Sequence, residues 1–299
     1  MNFVDEIITK LSNKFTISQI TPIDDGINTL YSATTSNNAI IIKIGTHDPE
    51  SVKVEPYIIN RLQEHNIPTP KIRHTGTVKN YPFFVSEKIH GKQLQYPDNI
   101  TTDYLEQISY NIGMELANIH IIACDESGRF TVKNNELHSP QTDWKTFYLT
   151  LLDTFAEESK KNFGELGSRA KEILYQIDMP PVDSPSLNPL DLHTRNVFVN
   201  NSDEIIGLID FERIYGGNPR WSFDVTLSAL LQDRRNNTKI KKRFKQGYSN
   251  IRPIPNKHRA FALGALLREM QAAHIWWQNP KRKESDFTHR LEKINKNQI

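Results

Sequence analysis

The sequence predicts an α+β fold of two lobes, an antiparallel β-rich N-terminal lobe over residues 1–90 and a larger, mainly helical lobe over residues 91–299. Three observations carry this. The first ninety residues alternate short β-branched and aromatic runs with turn residues. From Thr101 onward, apolar residues recur at helical spacing. Between helical stretches, Ser184 to Gly217 is punctuated by proline and then alternates short apolar runs with polar residues, as a β-hairpin does.

The elements follow in order. Residues 15–23 and 28–35 are strands joined by the turn residues Asp24, Asp25 and Gly26. Ala39 to Ile44 is short and rich in Ile, as a buried strand should be. A helix over roughly Glu55 to Glu64 carries Ile58 and Leu62 on one face, with Pro56 in its first turn or at a kink because Pro lacks an N–H. Pro68-Thr69-Pro70 ends that unit, and Tyr81 to Lys88 is a further strand closing at Gly91. Thr101, Thr102 and Asp103 are cap candidates for a helix carrying Leu105, Ile108, Ile112 and Ile119. Trp144, Phe147, Tyr148, Leu151 and Phe155 mark the next helix, and Leu263, Leu266, Met270 and Trp277 a late one.

Composition excludes several classes. Hydrophobic residues make up 37% and charged residues 24%, an ordinary globular balance that leaves enough apolar material for a core. No uncharged apolar run approaches 18 residues, so no membrane partner is expected. Met1 to Lys10 places Asp5 and Glu6 inside its apolar stretch, unlike a secretory leader. One cysteine, Cys124, makes neither an internal disulfide nor a thiolate metal site, and a cytoplasmic location is the simplest reading. A net charge of +2 demands no nucleic-acid partner.

The chemistry concentrates in the hairpin segment. Asp191 and Asn196 come from one loop of Leu190-Asp191-Leu192-His193-Thr194-Arg195-Asn196. Asp210 ends the strand that pairs back after the turn Asn200 to Asp203. Two carboxylates and an amide carbonyl at one locus are hard oxygen ligands in small number, which suits Mg2+ with positions left for water and phosphate.

This pattern resembles the aminoglycoside phosphotransferase and choline kinase family, small-molecule kinases of protein-kinase-like fold. Members carry His-Gly-Asp-Leu-His-x-x-x-Asn or a close variant and then a strand ending in Asp-Phe or Asp-Trp; here Asp191-Leu192-His193-Thr194-Arg195-Asn196, with Asp and Asn five apart, and Ile209-Asp210-Phe211-Glu212 match. The resemblance implies an ATP-dependent transferase with a small-molecule hydroxyl acceptor. Asp191 would position and deprotonate that hydroxyl, and Asn196 and Asp210 would hold the Mg2+ bridging the ATP phosphates. Lys43 corresponds to the phosphate-binding lysine and Glu55, opening a helix twelve residues on, to its partner. Glu64 to Pro70 looks like the helix-to-strand junction, and Gly217-Asn218-Pro219 with Asp224 like the stretch after the metal aspartate. The backbone of Glu87, Lys88 and Ile89 would meet adenine, and Gly26, Asn28 and Thr29 would lie in the phosphate-covering loop. Two departures stand out: Pro189-Leu190 replaces His-Gly, and the loop from Asp24 to Tyr31 has a single glycine.

Several residues admit two roles. His193 is a second base or packs the loop, with Asp191 already supplying the base. Glu212 assists the metal or solvates the strand end, and its place after Asp-Phe separates the chain from protein kinases. The basic run Arg234, Arg235, Lys239, Lys241, Lys242, Arg243 and Lys245 binds an anionic partner or is a solvated helix face. Trp276 and Trp277 line an acceptor pocket or pack the core. Three functions fit: a resistance-type kinase for an aminoglycoside or other antibiotic, a metabolite kinase for an amino alcohol, sugar or homoserine, or a nucleotide-binding pseudokinase. The intact Asp191, Asn196 and Asp210 weigh against the last.

Overall fold

The computed structural model describes residues 3–23, 27–36, 38–95, 97–125, 127–138, 144–180, 182, 184–231, 237–276 and 284–298. Gly26, Arg234, Arg235, Trp277 and the side chain of Trp276 lie outside the described residues. In chain order the elements are α1 (Phe3–Leu11), β1 (Ile17–Ile23), β2 (Thr29–Thr35), β3 (Ala39–Ile44), α2 (Pro49–Glu64), β4 (Ile72–Val78), β5 (Tyr81–Glu87), β6 (Lys92–Gln93) and α3 (Thr102–Ile121). Then come β7 (Gly128–Arg129), β8 (Thr131–Lys133), β9 (Glu136–His138), α4 (Trp144–Phe163), α5 (Glu165–Gln176), β10 (Ser186–Pro189), β11 (Val197–Val199), β12 (Ile205–Leu208) and β13 (Ile214–Gly217). The helices α6 (Pro219–Leu231), α7 (Thr238–Ser249), α8 (Arg259–Trp276) and α9 (Glu284–Asn295) follow. The expected α+β class, with an antiparallel N-terminal sheet and a helical remainder, is the observed one.

The chain forms two compact units. The first joins Met1–Leu94 with two later segments, Phe130–His138 and Arg195–Arg213. Its five-stranded sheet runs β1-β2-β3-β5-β4, each neighbour antiparallel. β3 is central because Ile40, Ile42 and Ile44 all point to one face, where they pack with Ile7 and Leu11 of α1 and Phe83 and Val85 of β5. The same alternation sends Lys43 to the opposite face, where α2 packs against β3, β4 and β5.

The helix α2 corrects the sequence expectation. It starts at Pro49 rather than Glu55, because the Asp48 side chain accepts the Ser51 N–H and Pro49 occupies the first turn, where its missing N–H costs nothing. Glu55 therefore lies a turn and a half inside the helix, and Pro56 sits within it, removing one i→i−4 bond. The helix α1 carried no sequence expectation.

The hairpin β11–β12 also belongs to the first unit, with β6 alongside β11. The Leu208 N–H donates to Pro68 O (2.7 Å), tying the hairpin to the loop after α2. The segment after β5 lies directly on it. A Cβ at Gly207 would collide with the Ile89 side chain, and one at Gly91 would sit 2.6 Å from Ile206 Cδ1 and 2.8 Å from the Val199 carbonyl oxygen.

The second unit comprises Gln95–Arg129, Ser139–Thr194 and Ile214–Ile299. One core joins α4, α5, α6, α8 and α9 through Trp144, Tyr148, Leu174, Trp221, Phe261 and Phe287. β10 pairs with β13, which pairs with β7, and the chain after α3 hydrogen-bonds to β10 through Leu187 N–H to Ile122 O (3.1 Å). No helix among the described residues is long and apolar enough to cross a membrane.

Gly91→Ala should lower the stability of the protein by about 1–3 kcal/mol, the usual cost of forcing a methyl group against packed backbone. A reduced urea midpoint at unchanged slope would register it; a midpoint equal to wild type would show that the segment does not press on the hairpin.

Candidate active site

The residues expected around the nucleotide phosphates meet in the first unit. Lys43 is buried in β3, and its Nζ lies 2.8 Å from Glu55 Oε2, 2.9 Å from Asp210 Oδ1 and 2.6 Å from Glu212 Oε1. Glu55 reaches it from α2, and its other oxygen accepts the Phe211 N–H at 3.0 Å. Asp210 has φ +66°, a left-handed conformation that Asp tolerates better than most side chains. That turn ends the strand direction of β12 between Ile209 and the buried Phe211.

Charge balance follows from burial. Desolvation works to lower the Lys43 pKa, but Asp210, Glu55 and Glu212 together hold it well above its ordinary value. Burial pushes the Glu55 carboxyl up to about 7, against the pull of Lys43 and with the help of Asp210 and Glu212. One ammonium facing three carboxylates leaves an excess of negative charge.

Carboxylate oxygens of Glu55, Asp210 and Glu212 lie within 4.8 Å of one another, and the Asp210 side chain is 39% exposed. Hard oxygens, excess negative charge and an accessible carboxylate fit Mg2+, which takes few protein ligands and keeps water or phosphate oxygens for the rest. Asn196 begins next to this cluster: its carbonyl accepts the Ile209 N–H at 3.0 Å, one residue before Asp210.

The loop and hinge residues have protein partners. Asn28 Oδ1 accepts the N–H groups of His47 (3.0 Å) and Asp48 (3.3 Å), and its Nδ2 donates to Glu212 Oε1 (2.7 Å). Thr29 N–H donates to Thr46 Oγ1 at 3.2 Å. Glu87 and Lys88 donate their backbone N–H groups to Lys71 O (2.9 Å) and Ala39 O (3.0 Å).

Asp191 lies in the second unit, on the loop after β10. Arg268 Nη2 of α8 donates to Asp191 Oδ1 at 2.7 Å, a charge-assisted bond from a buried guanidinium. His193 Nε2 is 4.0 Å from the same oxygen, beyond hydrogen-bond range. Thr194 Oγ1 donates to Gln95 O at 2.6 Å and fixes the loop's far end.

The stem of that loop rests on a buried chain of polar groups. Ser222 Oγ donates to Asn188 Oδ1 (2.7 Å), so it accepts from His120 Nε2 (2.6 Å), and His120 Nδ1 then accepts from the Tyr248 hydroxyl (2.7 Å). Asn188 Nδ2 closes the run on Ser186 O at 2.9 Å. Asn188 immediately precedes Pro189-Leu190, the place where the family pattern has His-Gly. Every bond runs in one direction, which requires a neutral imidazole. Burial, then Arg252, holds the His120 pKa well below its ordinary value.

Sequence reasoning missed Arg268, His120 and the engagement of Glu212. The available signals were an Arg268-Glu269 pair inside the apolar run from Ala260 to Met270, and a histidine on the apolar face of α3. Asp224, read only as part of a familiar stretch, forms a two-bond ion pair with Arg220 (2.6 and 2.8 Å) on α6.

A β-sheet unit with a buried Lys-Glu pair beside a strand-terminal Asp, and a helical unit presenting an Asp loop, define a small-molecule kinase of protein-kinase-like fold. Residues 19–261 match the model of the phosphotransferase enzyme family (APH), and the chain belongs to that family. Solved structures share its fold. A thermostable mutant of aminoglycoside phosphotransferase APH(4)-Ia, in a ternary complex with AMP-PNP and hygromycin B, superposes with TM-score 0.66 at 13% identity, covering 97% of this chain and 98% of that one. A provisionally assigned aminoglycoside phosphotransferase from Ralstonia eutropha JMP134 gives 0.65 at 11% identity, covering 98% of each chain. A provisionally assigned fructosamine-3-kinase from Haemophilus somnus 129PT gives 0.64 at 14% identity, covering 98% of this chain and 97% of that one.

The depressed His120 pKa makes stability depend on pH. The unfolded chain takes up this proton near the ordinary imidazole value of about 6.5, whereas the folded chain does so only lower. His120 therefore contributes stability above about pH 6.5, lost progressively as pH falls toward the folded value. Denaturant titrations between pH 7.5 and 5 should show this decline, and His120→Phe should flatten it while lowering stability at neutral pH. An equal slope in both proteins would rule it out.

Proposed function

We propose that the protein transfers the γ-phosphoryl group of ATP, taken as its Mg2+ complex, to a hydroxyl of a small molecule. The observation that carries this reading is Lys43, buried in β3 and held between Glu55 of α2 and Asp210 at the end of β12. In this reading the first unit takes the nucleotide and the second the acceptor. Lys43 turns its ammonium toward the α- and β-phosphates, and Glu55 orients it. Asn196 and Asp210 hold Mg2+, which neutralises phosphate charge when bound. Adenine meets the backbone of Glu87, Lys88 and Ile89.

Asp191 accepts the proton of the acceptor hydroxyl. The hydroxyl oxygen forms its bond to the γ-phosphorus as the bond to the bridging oxygen breaks, and ADP leaves with that electron pair. Arg268 donates to the Asp191 carboxylate and fixes its rotamer. Intact Asp191, Asn196 and Asp210 favour turnover over a pseudokinase.

The acceptor is proposed to be a metabolite hydroxyl on an amino alcohol, sugar or hydroxy acid such as homoserine. A guanidinium beside the base and the exposed Lys239, Lys242 and Arg243 on α7 favour this over a polycationic aminoglycoside, which remains the second reading through the shared fold. The chain's single cysteine, the buried Cys124, accords with a reducing, cytoplasmic setting.

A panel of aminoglycosides, amino alcohols, sugars and hydroxy acids, assayed for ADP release with Mg2+, tests the assignment. One class should stimulate turnover, and EDTA should abolish it. Asp191→Asn should slow transfer by roughly 10²–10⁴-fold while leaving nucleotide binding nearly intact. Lys43→Ala should reduce turnover at limiting ATP, and Asp210→Ala should remove Mg2+-dependent nucleotide binding. If no acceptor stimulates turnover and Asp191→Asn matches wild type in every assay, the enzyme reading fails.

A further inference from the structure

Glu212, two residues after Asp210, has no part in the mechanism above. Its Oε1 nevertheless collects two separate donors. Lys43 Nζ lies 2.6 Å away, and Asn28 Nδ2, from the connection between β1 and β2, donates at 2.7 Å. The Glu212 side chain is only 11% exposed, and Lys43 and Asn28 are buried. Asn28 is itself held in place, because its Oδ1 takes the N–H groups of His47 and Asp48 at the start of α2. A cation from the sheet and an amide N–H from the loop thus converge on one anionic oxygen. That donor pair is what an oxygen of a nucleotide phosphate requires, and here the chain supplies the oxygen itself.

We propose that Glu212 is an internal stand-in for a nucleotide phosphate, holding Lys43 and Asn28 in their phosphate-binding positions until the nucleotide displaces it. The inference rests on the nucleotide reading of this site. Three consequences follow from charge. The ammonium of Lys43 stays compensated in the empty protein, so the sheet and loop keep their geometry without ligand. An incoming phosphate meets a carboxylate at the position it needs, so nucleotide lacking its metal binds poorly. A Mg2+-bound nucleotide brings the charge that lets Glu212 and phosphate oxygens share the site, and Glu212 thereby selects the metal complex over free nucleotide.

The test is equilibrium binding of a fluorescent ATP analogue to the full chain, in EDTA and in Mg2+, with melting curves to check folding. Wild type should bind far more weakly in EDTA than in Mg2+. Glu212→Gln, which keeps the shape and removes the charge, should bind metal-free nucleotide at least about tenfold tighter than wild type, the order expected from deleting one like charge at close range. Glu212→Ala should behave alike and serves if the first variant folds poorly. Asn28→Ala, which keeps the charge but removes a donor, should bind metal-free nucleotide no tighter than wild type. If wild type binds in Mg2+ while both Glu212 variants match it or bind more weakly in EDTA, the stand-in is overturned and the nucleotide reading survives. Equal tightening by Asn28→Ala would assign the effect to loop release and also overturn it. Failure of wild type to bind nucleotide even in Mg2+ would remove the nucleotide reading itself, and this inference with it.

Discussion

Burying a lysine ammonium strips it of water, a cost of several kcal/mol unless anionic groups replace the lost hydration. In the first unit that compensation comes from Glu55 on α2 and from Asp210 and Glu212 after β12, each within 3 Å of Lys43 Nζ. The helix, the central strand and the end of the hairpin are therefore tied to one charge. Glu55 extends the tie through its second oxygen to the Phe211 N–H, and Glu212 extends it to Asn28. Removing any one carboxylate disturbs the rest, because all three face the same ammonium and both Lys43 and Glu55 are buried away from screening water.

The second unit solves a different problem, holding a short irregular loop still enough for chemistry. The family pattern supports that loop with a histidine just before the catalytic position, where this chain has Pro189-Leu190. Support instead enters one residue earlier, through Asn188 and the buried run of Ser222, His120 and Tyr248. Asn188, Ser222 and His120 each give and receive a hydrogen bond and the Tyr248 hydroxyl gives one, so burial costs them little. The loop's far end is anchored by Thr194 and its carboxylate by Arg268. The boundary between the two units falls between Thr194 and Arg195, inside the Asp191 to Asn196 motif. The proposed base, Asp191, and the proposed metal ligand Asn196, five residues apart in sequence, thus belong to different units.

The strand β3 was legible because a run of Ile at alternate positions admits few other arrangements. The long helices α3, α4 and α8 announced themselves by apolar spacing. The first turn and a half of α2 was not legible, since its prolines suggest a late start and only the Asp48 cap explains an early one. Strands of two or three residues, such as β6, β7 and β8, carry no periodicity to read; their partners create them.

By itself the sequence determined the kinase-like class and the spacing of Lys43, Glu55, Asp191, Asn196 and Asp210, since local hydrogen-bonding geometry binds such motifs to nearby chain positions. Tertiary structure alone decided what those groups touch. Arg268 reaches Asp191 across 77 residues of chain, His120 reaches Ser222 across 102, and Asn28 reaches Glu212 across 184. An arginine, a histidine or a glutamate has no preferred partner written into its neighbours. Its role is set when folding removes water from it and leaves particular opposite charges or hydrogen-bonding groups within reach.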